Sequence, residues 1–80
     1  MIVNVRLFAG ARELCMRDTL TLITSSPVTL AGLRELMNEA APALKEATGR
    51  WAVNLEFVPS TDYIVQPGDE VAWVPPVSGG

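Results

Sequence analysis

The sequence predicts an α+β domain: a mixed sheet with one main helix packed on one face and a short C-terminal tail. Three observations carry this. Two stretches near the N-terminus alternate apolar and polar residues with period two. A middle stretch switches to helical spacing. A last strand-like run then ends almost at the C-terminus.

Val3, Val5 and Leu7 alternate with Asn4, Arg6 and Phe8, as in a half-buried strand. A short polar segment around Arg12 and Glu13 follows. Thr19–Leu20–Thr21–Leu22–Ile23 alternates again and is rich in β-branched residues, so it reads as a second strand pairing with the first. Ser25–Ser26–Pro27 breaks it. Leu30, Leu33, Met37 and Ala40 then fall on one helical face, with Arg34, Glu35, Asn38 and Glu39 expected outward. Thr29 is a good N-cap, and Val28 before it is placed to staple onto Leu33. Gly32 within this helix costs about 1 kcal/mol relative to alanine. Pro42 ends the helix, and a second short helical piece is expected over 43–48, closed by Gly49 as a C-cap.

Trp51 to Leu55 is strand-like, with Asn54 expected to make local hydrogen bonds at the strand end. Pro59 to Tyr63 reads as irregular, with at most a short edge strand. Gln66–Pro67–Gly68–Asp69 has proline then glycine at the central positions, the signature of a type II turn. It delivers a final strand, Glu70 to Val74. Pro75–Pro76 has no N–H to donate, so pairing should stop there. The expected organisation is one domain over 1–74 and an extended tail over 75–80, with no repeat, linker or low-complexity run.

Composition removes most functions. The 80 residues carry a net charge of −3, with six basic residues dispersed along the chain. That leaves no footprint for nucleic acid or anionic membranes, while mild acidity permits docking onto a basic partner. With no histidine there is no Ser–His or Cys–His dyad and no imidazole metal site. No glycine-rich phosphate loop is present, so no cofactor or metal site is expected in this chain. Glu35 and Glu39 share a helix face but read as solvated. Cys15, the single cysteine, allows no intramolecular disulfide, and in Leu14–Cys15–Met16 it reads as packing rather than as a sulfur site. With neither a signal peptide nor a long apolar run, the chain is expected to be soluble and cytoplasmic.

What remains is the end: Pro75–Pro76–Val77–Ser78–Gly79–Gly80. At ordinary glycine usage, two terminal glycines arise by chance in about 0.5% of chains. The prolines hold φ near −65° and project a short stiff lever. Gly79 and Gly80, lacking Cβ, can thread a channel only as wide as backbone. Six extended residues reach about 20 Å, enough to bury a terminal carboxylate in a partner's active site.

These residues, with Val5–Arg6–Leu7–Phe8–Ala9, Arg12–Glu13–Leu14, Ala52–Val53–Asn54 and Pro67–Gly68–Asp69–Glu70–Val71–Ala72, resemble the small, sulfur-carrier subunit of molybdopterin synthase, a ubiquitin-like β-grasp family. The resemblance implies a chain that is not catalytic alone. An activating enzyme would use ATP and Mg²⁺ to adenylate the Gly80 carboxylate, and a sulfur-donating enzyme would convert it to a thiocarboxylate. Gly79, Ser78, Val77, Pro76 and Pro75 would then enter a large catalytic subunit, where sulfur passes to cyclic pyranopterin monophosphate. Phe8, Phe57 and Trp73 are candidates for an apolar patch facing that subunit, core packing being the competing role for each. Other readings are a sulfur carrier for thiamine or tRNA thiolation, a ubiquitin-like modifier joined through Gly80 to lysine, and a plain binding module.

Overall fold

In the computed structural model, which describes residues 1–25 and 27–76, period-two patterning becomes a five-stranded sheet. Ten elements follow in order: β1 (Ile2–Leu7), α1 (Ala9–Cys15), β2 (Thr19–Ile23), β3 (Val28–Thr29), α2 (Leu30–Ala40), a 3₁₀ turn (Pro42–Leu44), β4 (Arg50–Val53), β5 (Glu56–Phe57), β6 (Ile64–Val65) and β7 (Val71–Val74). The sheet order is β2-β1-β7-β4-β5, and β3 and β6 form a separate two-stranded pair. The last strand therefore lies inside the sheet, parallel to β1 and antiparallel to β4.

One face of the sheet is covered. Val3, Val5 and Leu7 of β1, Leu20 and Leu22 of β2, Trp51 and Val53 of β4, and Val71 and Trp73 of β7 are buried against Leu30, Leu33 and Met37 of α2 and Leu44 of the 3₁₀ turn. The apolar stripe of α2 is what packs, because a helix this short owes its stability mainly to such burial. Ala40, expected on that stripe, is exposed, and Ala41 beyond the helix takes the inward place.

The Thr29 hydroxyl accepts the Gly32 N–H at 3.1 Å, as an N-cap should. The N–H groups of Leu30 and Ala31, which no helix carbonyl can reach, donate to Tyr63 and Thr61 carbonyls at 3.0 and 3.1 Å. Gly32 has a packing reason: a Cβ there would lie 2.9 Å from Val28 Cγ2. Gly49 is likewise a point of close approach rather than a left-handed cap, since its Cβ would meet the Trp73 ring at 2.6 Å.

Four expectations change. The polar segment at Arg12–Glu13 is helical, as α1, whose C-cap Met16 stands in the left-handed region at φ 55°. The second helical piece is only the 3₁₀ turn over Pro42–Leu44. The strand expected through Leu55 stops at Val53: Asn54 and Leu55, at φ 52° and 70°, make a two-residue turn into β5. Arg34 does not point away into solvent. Its guanidinium lies 4.4 Å from the Trp73 ring centroid and donates to the Leu44 and Ala47 carbonyls at 2.9 and 2.6 Å.

Candidate functional site

Among the described residues no helix covers the second face of the sheet. Register places its side chains in two rows. Arg6, Ala72, Ala52 and Phe57 are successive cross-strand neighbours, and Leu7 opposite Trp73 sets Phe8 level with Val74 and Arg50. Two alanines at the centre leave a floor without bulk. Phe8, Leu55 and Phe57 rise around it, giving a shallow concavity of about 340 Å³ that Arg6, Glu70 and Val74 also line.

Phe8 and Phe57 are 41% and 51% exposed, and Leu55 at the turn is 93% exposed. Each phenylalanine is overlaid by a guanidinium, Arg6 at 5.8 Å from the Phe8 ring and Arg50 at 4.1 Å from that of Phe57. The face is thus apolar with a cationic fringe, on a chain whose net charge is negative. Trp73 departs from the expectation of an outward patch. It is 5% exposed and packs edge-on against Trp51, centroids 4.9 Å apart. Trp73 alternates with Ala72 and Val74, so when those face the open side it must face the core.

Because β1 and β7 run parallel, Phe8 and Pro75 leave the sheet at the same end. Pro75 and Pro76 have no regular structure, and pairing ends at Val74, as their missing N–H groups require. The candidates Val77, Ser78, Gly79 and Gly80 lie outside the described residues.

The opposite end of β7 is fixed by a polar network that the sequence revealed only through Asn54. The Asp69 carboxylate accepts from Tyr63 Oη at 2.9 Å, Gln66 N–H at 2.8 Å and Asn54 Nδ2 at 3.0 Å. Asn54 Oδ1 accepts the Glu70 N–H at 3.0 Å, and its own N–H donates to the Glu70 carbonyl at 2.8 Å. The Gln66–Asp69 turn closes with Gly68 at φ 90° and a 3.0 Å hydrogen bond, as a type II turn does. Backbone and side-chain donors hold the Asp69 carboxyl below the usual carboxylate range, and Asp69 in turn raises the Tyr63 phenol.

Cys15, at the end of α1, is half-buried and packs against the core. Burial pushes its thiol up, outweighing the lowering effect of the Arg17 charge. A raised thiol is a poor nucleophile at neutral pH.

Comparison with known proteins adds to this geometry. The ThiS family model matches residues 5–80. The molybdopterin synthase sulfur carrier subunit of Escherichia coli (strain K12) is 37% identical over 83 residues, covering 99% of this chain and all of that protein. The structure of SAMP1 from Haloferax volcanii superposes with a TM-score of 0.87 at 26% identity, each chain covered in full. A protein–protein complex of subunits 1 and 2 of the molybdopterin-converting factor from Helicobacter pylori 26695 matches with a TM-score of 0.73, at 26% identity and full coverage of both chains. The fold is the ubiquitin-like β-grasp, and the chain belongs to the ThiS family of sulfur carriers.

Proposed function

We propose that this chain is the sulfur-carrier subunit of a molybdopterin synthase. Its Gly80 carboxylate attacks ATP in the active site of a separate, Mg²⁺-dependent activating enzyme, releasing pyrophosphate and forming an acyl-adenylate. A sulfur nucleophile from a sulfur-donating enzyme then expels AMP and leaves a thiocarboxylate. Within the large subunit the thiocarboxylate sulfur bonds to cyclic pyranopterin monophosphate, and water then cleaves the acyl C–S bond, leaving sulfur on the product and the carboxylate free for recharging. The full-length 37% identity to a protein named for this role carries the reading. The tail sequence Pro75–Pro76–Val77–Ser78–Gly79–Gly80 agrees with it.

The large subunit docks on the open face, with Phe8 and Phe57 seated in apolar recesses and Arg6 and Arg50 meeting acidic side chains at the rim. Docking there orients the end of β7 toward the partner's active site. Similarity to SAMP1, a small archaeal modifier protein, favours a second reading in which the activated carboxylate is joined to a lysine. Intact mass after incubation with the activating system, ATP and a sulfur donor separates the two. Replacement of one oxygen by sulfur is expected for the carrier; conjugates to protein without any thiocarboxylate would overturn the first reading.

The working group has a sharper test. One residue added after Gly80 moves the carboxylate about 3.5 Å along an extended chain. Reacting atoms must stand roughly 3–3.5 Å apart to keep the proximity advantage. The extended chain and the Gly80 deletion should therefore lose sulfur transfer. Their thermal melts should match wild type, since both changes lie beyond the last strand and alter stability by at most a few tenths of a kcal/mol. Wild-type delivery by the extended chain would show that the Gly80 carboxylate is not the working group.

A further inference from the structure

At the edge of the sheet opposite β5, β2 is paired on one side only among the described residues. Its ladder to β1 is fixed at both ends by the Leu7 N–H donating to Asp18 and the Thr24 N–H donating to Met1, both at 2.8 Å. In an antiparallel pair, residues bonded to the partner strand alternate with residues whose N–H and C=O point the other way. Leu20 and Leu22 are thereby bonded to β1. Thr19, Thr21 and Ile23 turn their backbone groups outward, and among the described residues nothing pairs with them.

An unpaired edge of this kind is a template for another strand. Beside it runs a groove of about 350 Å³ between β2 and α2, lined by Thr21, Leu22, Ile23, Leu36, Glu39 and Ala40. It continues past Glu35 toward Val28 and Gly32. Ile23 is 76% exposed at its lip and Leu36 is half-buried. Glu35 and Glu39, one helical turn apart, stand along the helix side of the groove and are exposed. Among the described residues neither has a salt bridge; the single ion pair, Arg12 to Asp18, lies elsewhere.

We propose that the β2 edge and this groove bind an extended, basic peptide segment of a partner protein. The segment adds as a sixth strand, with its backbone on Thr19, Thr21 and Ile23. Alternate apolar side chains enter the groove against Leu36 and the β2 backbone, and a lysine or arginine reaches Glu35 and Glu39. Charge decides against a second copy of this chain. Antiparallel pairing of two β2 edges would bring two α2 helices onto the same face across the seam, setting Glu35 and Glu39 of each against the other pair. The site shares no residue with the Phe8–Phe57 concavity and does not depend on the sulfur-carrier reading.

The probe is a synthetic peptide, Arg-Thr-Val-Thr-Val-Thr-Arg, whose valines and arginines share one face of a strand, titrated into the full ¹⁵N-labelled chain. Saturable shifts are expected at Thr19–Ile23 and Leu36–Ala40, with slowed amide exchange at Thr21 and Ile23. A peptide with glutamate for both arginines, and the Glu35→Lys/Glu39→Lys chain with the original peptide, should each bind at least about tenfold more weakly. Thr21→Pro removes an outward N–H at an edge position where proline is tolerated, and should abolish binding with the remaining spectrum intact. If that variant unfolds, exchange protection at Thr21 and Ile23 in the wild-type chain decides alone. The proposal is overturned by shifts on Phe8, Ala52, Phe57 and Val74 instead, by no saturation at millimolar peptide, by equal binding of the acidic peptide, or by dimerisation through β2 without peptide.

Discussion

β4 and β7 present opposite characters on their two faces. Inward they carry Trp51 and Trp73, both about 5% exposed or less; outward they carry Ala52 and Ala72, half-buried only by their neighbours. The inward face is filled to the point that Gly49 has no room for a Cβ against Trp73. The outward face is a floor with aromatic walls, and among the described residues no element is laid over it. The same two strands thus place bulk where the fold needs it and withhold bulk where a partner would sit. Aromatic residues on these strands cannot be assigned one common role.

The first way to break that distinction is Trp73→Ala. It removes the edge contact with Trp51, the surface beneath the Arg34 guanidinium and the packing over Gly49. Phe/Trp→Ala changes in cores cost about 3–5 kcal/mol. Against a typical total stability of about 5–15 kcal/mol, the chain should stand close to unfolding. Urea denaturation measures this. A loss below about 1 kcal/mol would return Trp73 to the surface role first considered for it.

Phe8→Ala and Phe57→Ala probe the other face. Each side chain is partly exposed and overlaid by an arginine, so the melt should move by less than about 1 kcal/mol. Affinity for the large subunit should fall at least about tenfold for each, as expected of aromatic anchors near an interface centre. Calorimetric titration of the two purified subunits checks it. Unchanged affinity in both variants would move the docking surface elsewhere.

A smaller effect separates the two ends of β7. Its start is tied by Asp69, whose carboxyl is held low by the Gln66 N–H, Asn54 and Tyr63. A depressed folded-state value means stability present above the unfolded carboxylate range, near pH 4, and lost as pH falls below it. Asp69→Asn should be less stable than wild type at neutral pH, by no more than about 1 kcal/mol given solvent access. The gap should close in acid as wild-type Asp69 takes up its proton. A gap that persists unchanged at pH 2 would show that the carboxylate charge is not what the network uses.

Sequence patterning reached the parts of the fold where one face is apolar and the other polar. β1, β2 and the α2 stripe have that contrast, while the Gln66–Asp69 turn is legible through its Pro–Gly pair. α1 escaped because only Ala11 of its seven residues is buried, so it writes no periodic stripe. β7 carries apolar residues in both phases, and alternation alone could not say whether Trp73 or Val74 looks inward. Arg34 read as a surface charge because its carbonyl partners lie 10 to 13 residues away in a turn that no local pattern reveals. The turn at Asn54–Leu55 was hidden by a leucine at φ 70°, where glycine is the ordinary signal. The tail motif Pro75–Gly80 is a reading of sequence alone, since Val77 to Gly80 lie outside the described residues.

The smallest expected effect is at Cys15, where the contrast between packing and chemistry reduces to one atom. A chain that handles sulfur and contains a single thiol invites the idea that the thiol carries it. The geometry argues otherwise. Cys15 packs against the core from the end of α1, remote in sequence from the tail, and burial raises its thiol despite Arg17. A thiol shifted upward offers less thiolate at neutral pH, which disfavours both attack on an adenylate and storage of sulfur as a persulfide. Cys15→Ser exchanges a soft, weakly hydrogen-bonding atom for a hydroxyl of similar size at a half-buried position, so the cost should stay below about 1 kcal/mol. Supplied already as its thiocarboxylate, the Cys15→Ser chain should deliver sulfur to the large subunit at the wild-type rate. Loss of product with the melt unchanged would mean that the Cys15 thiol takes part in delivery of sulfur from Gly80.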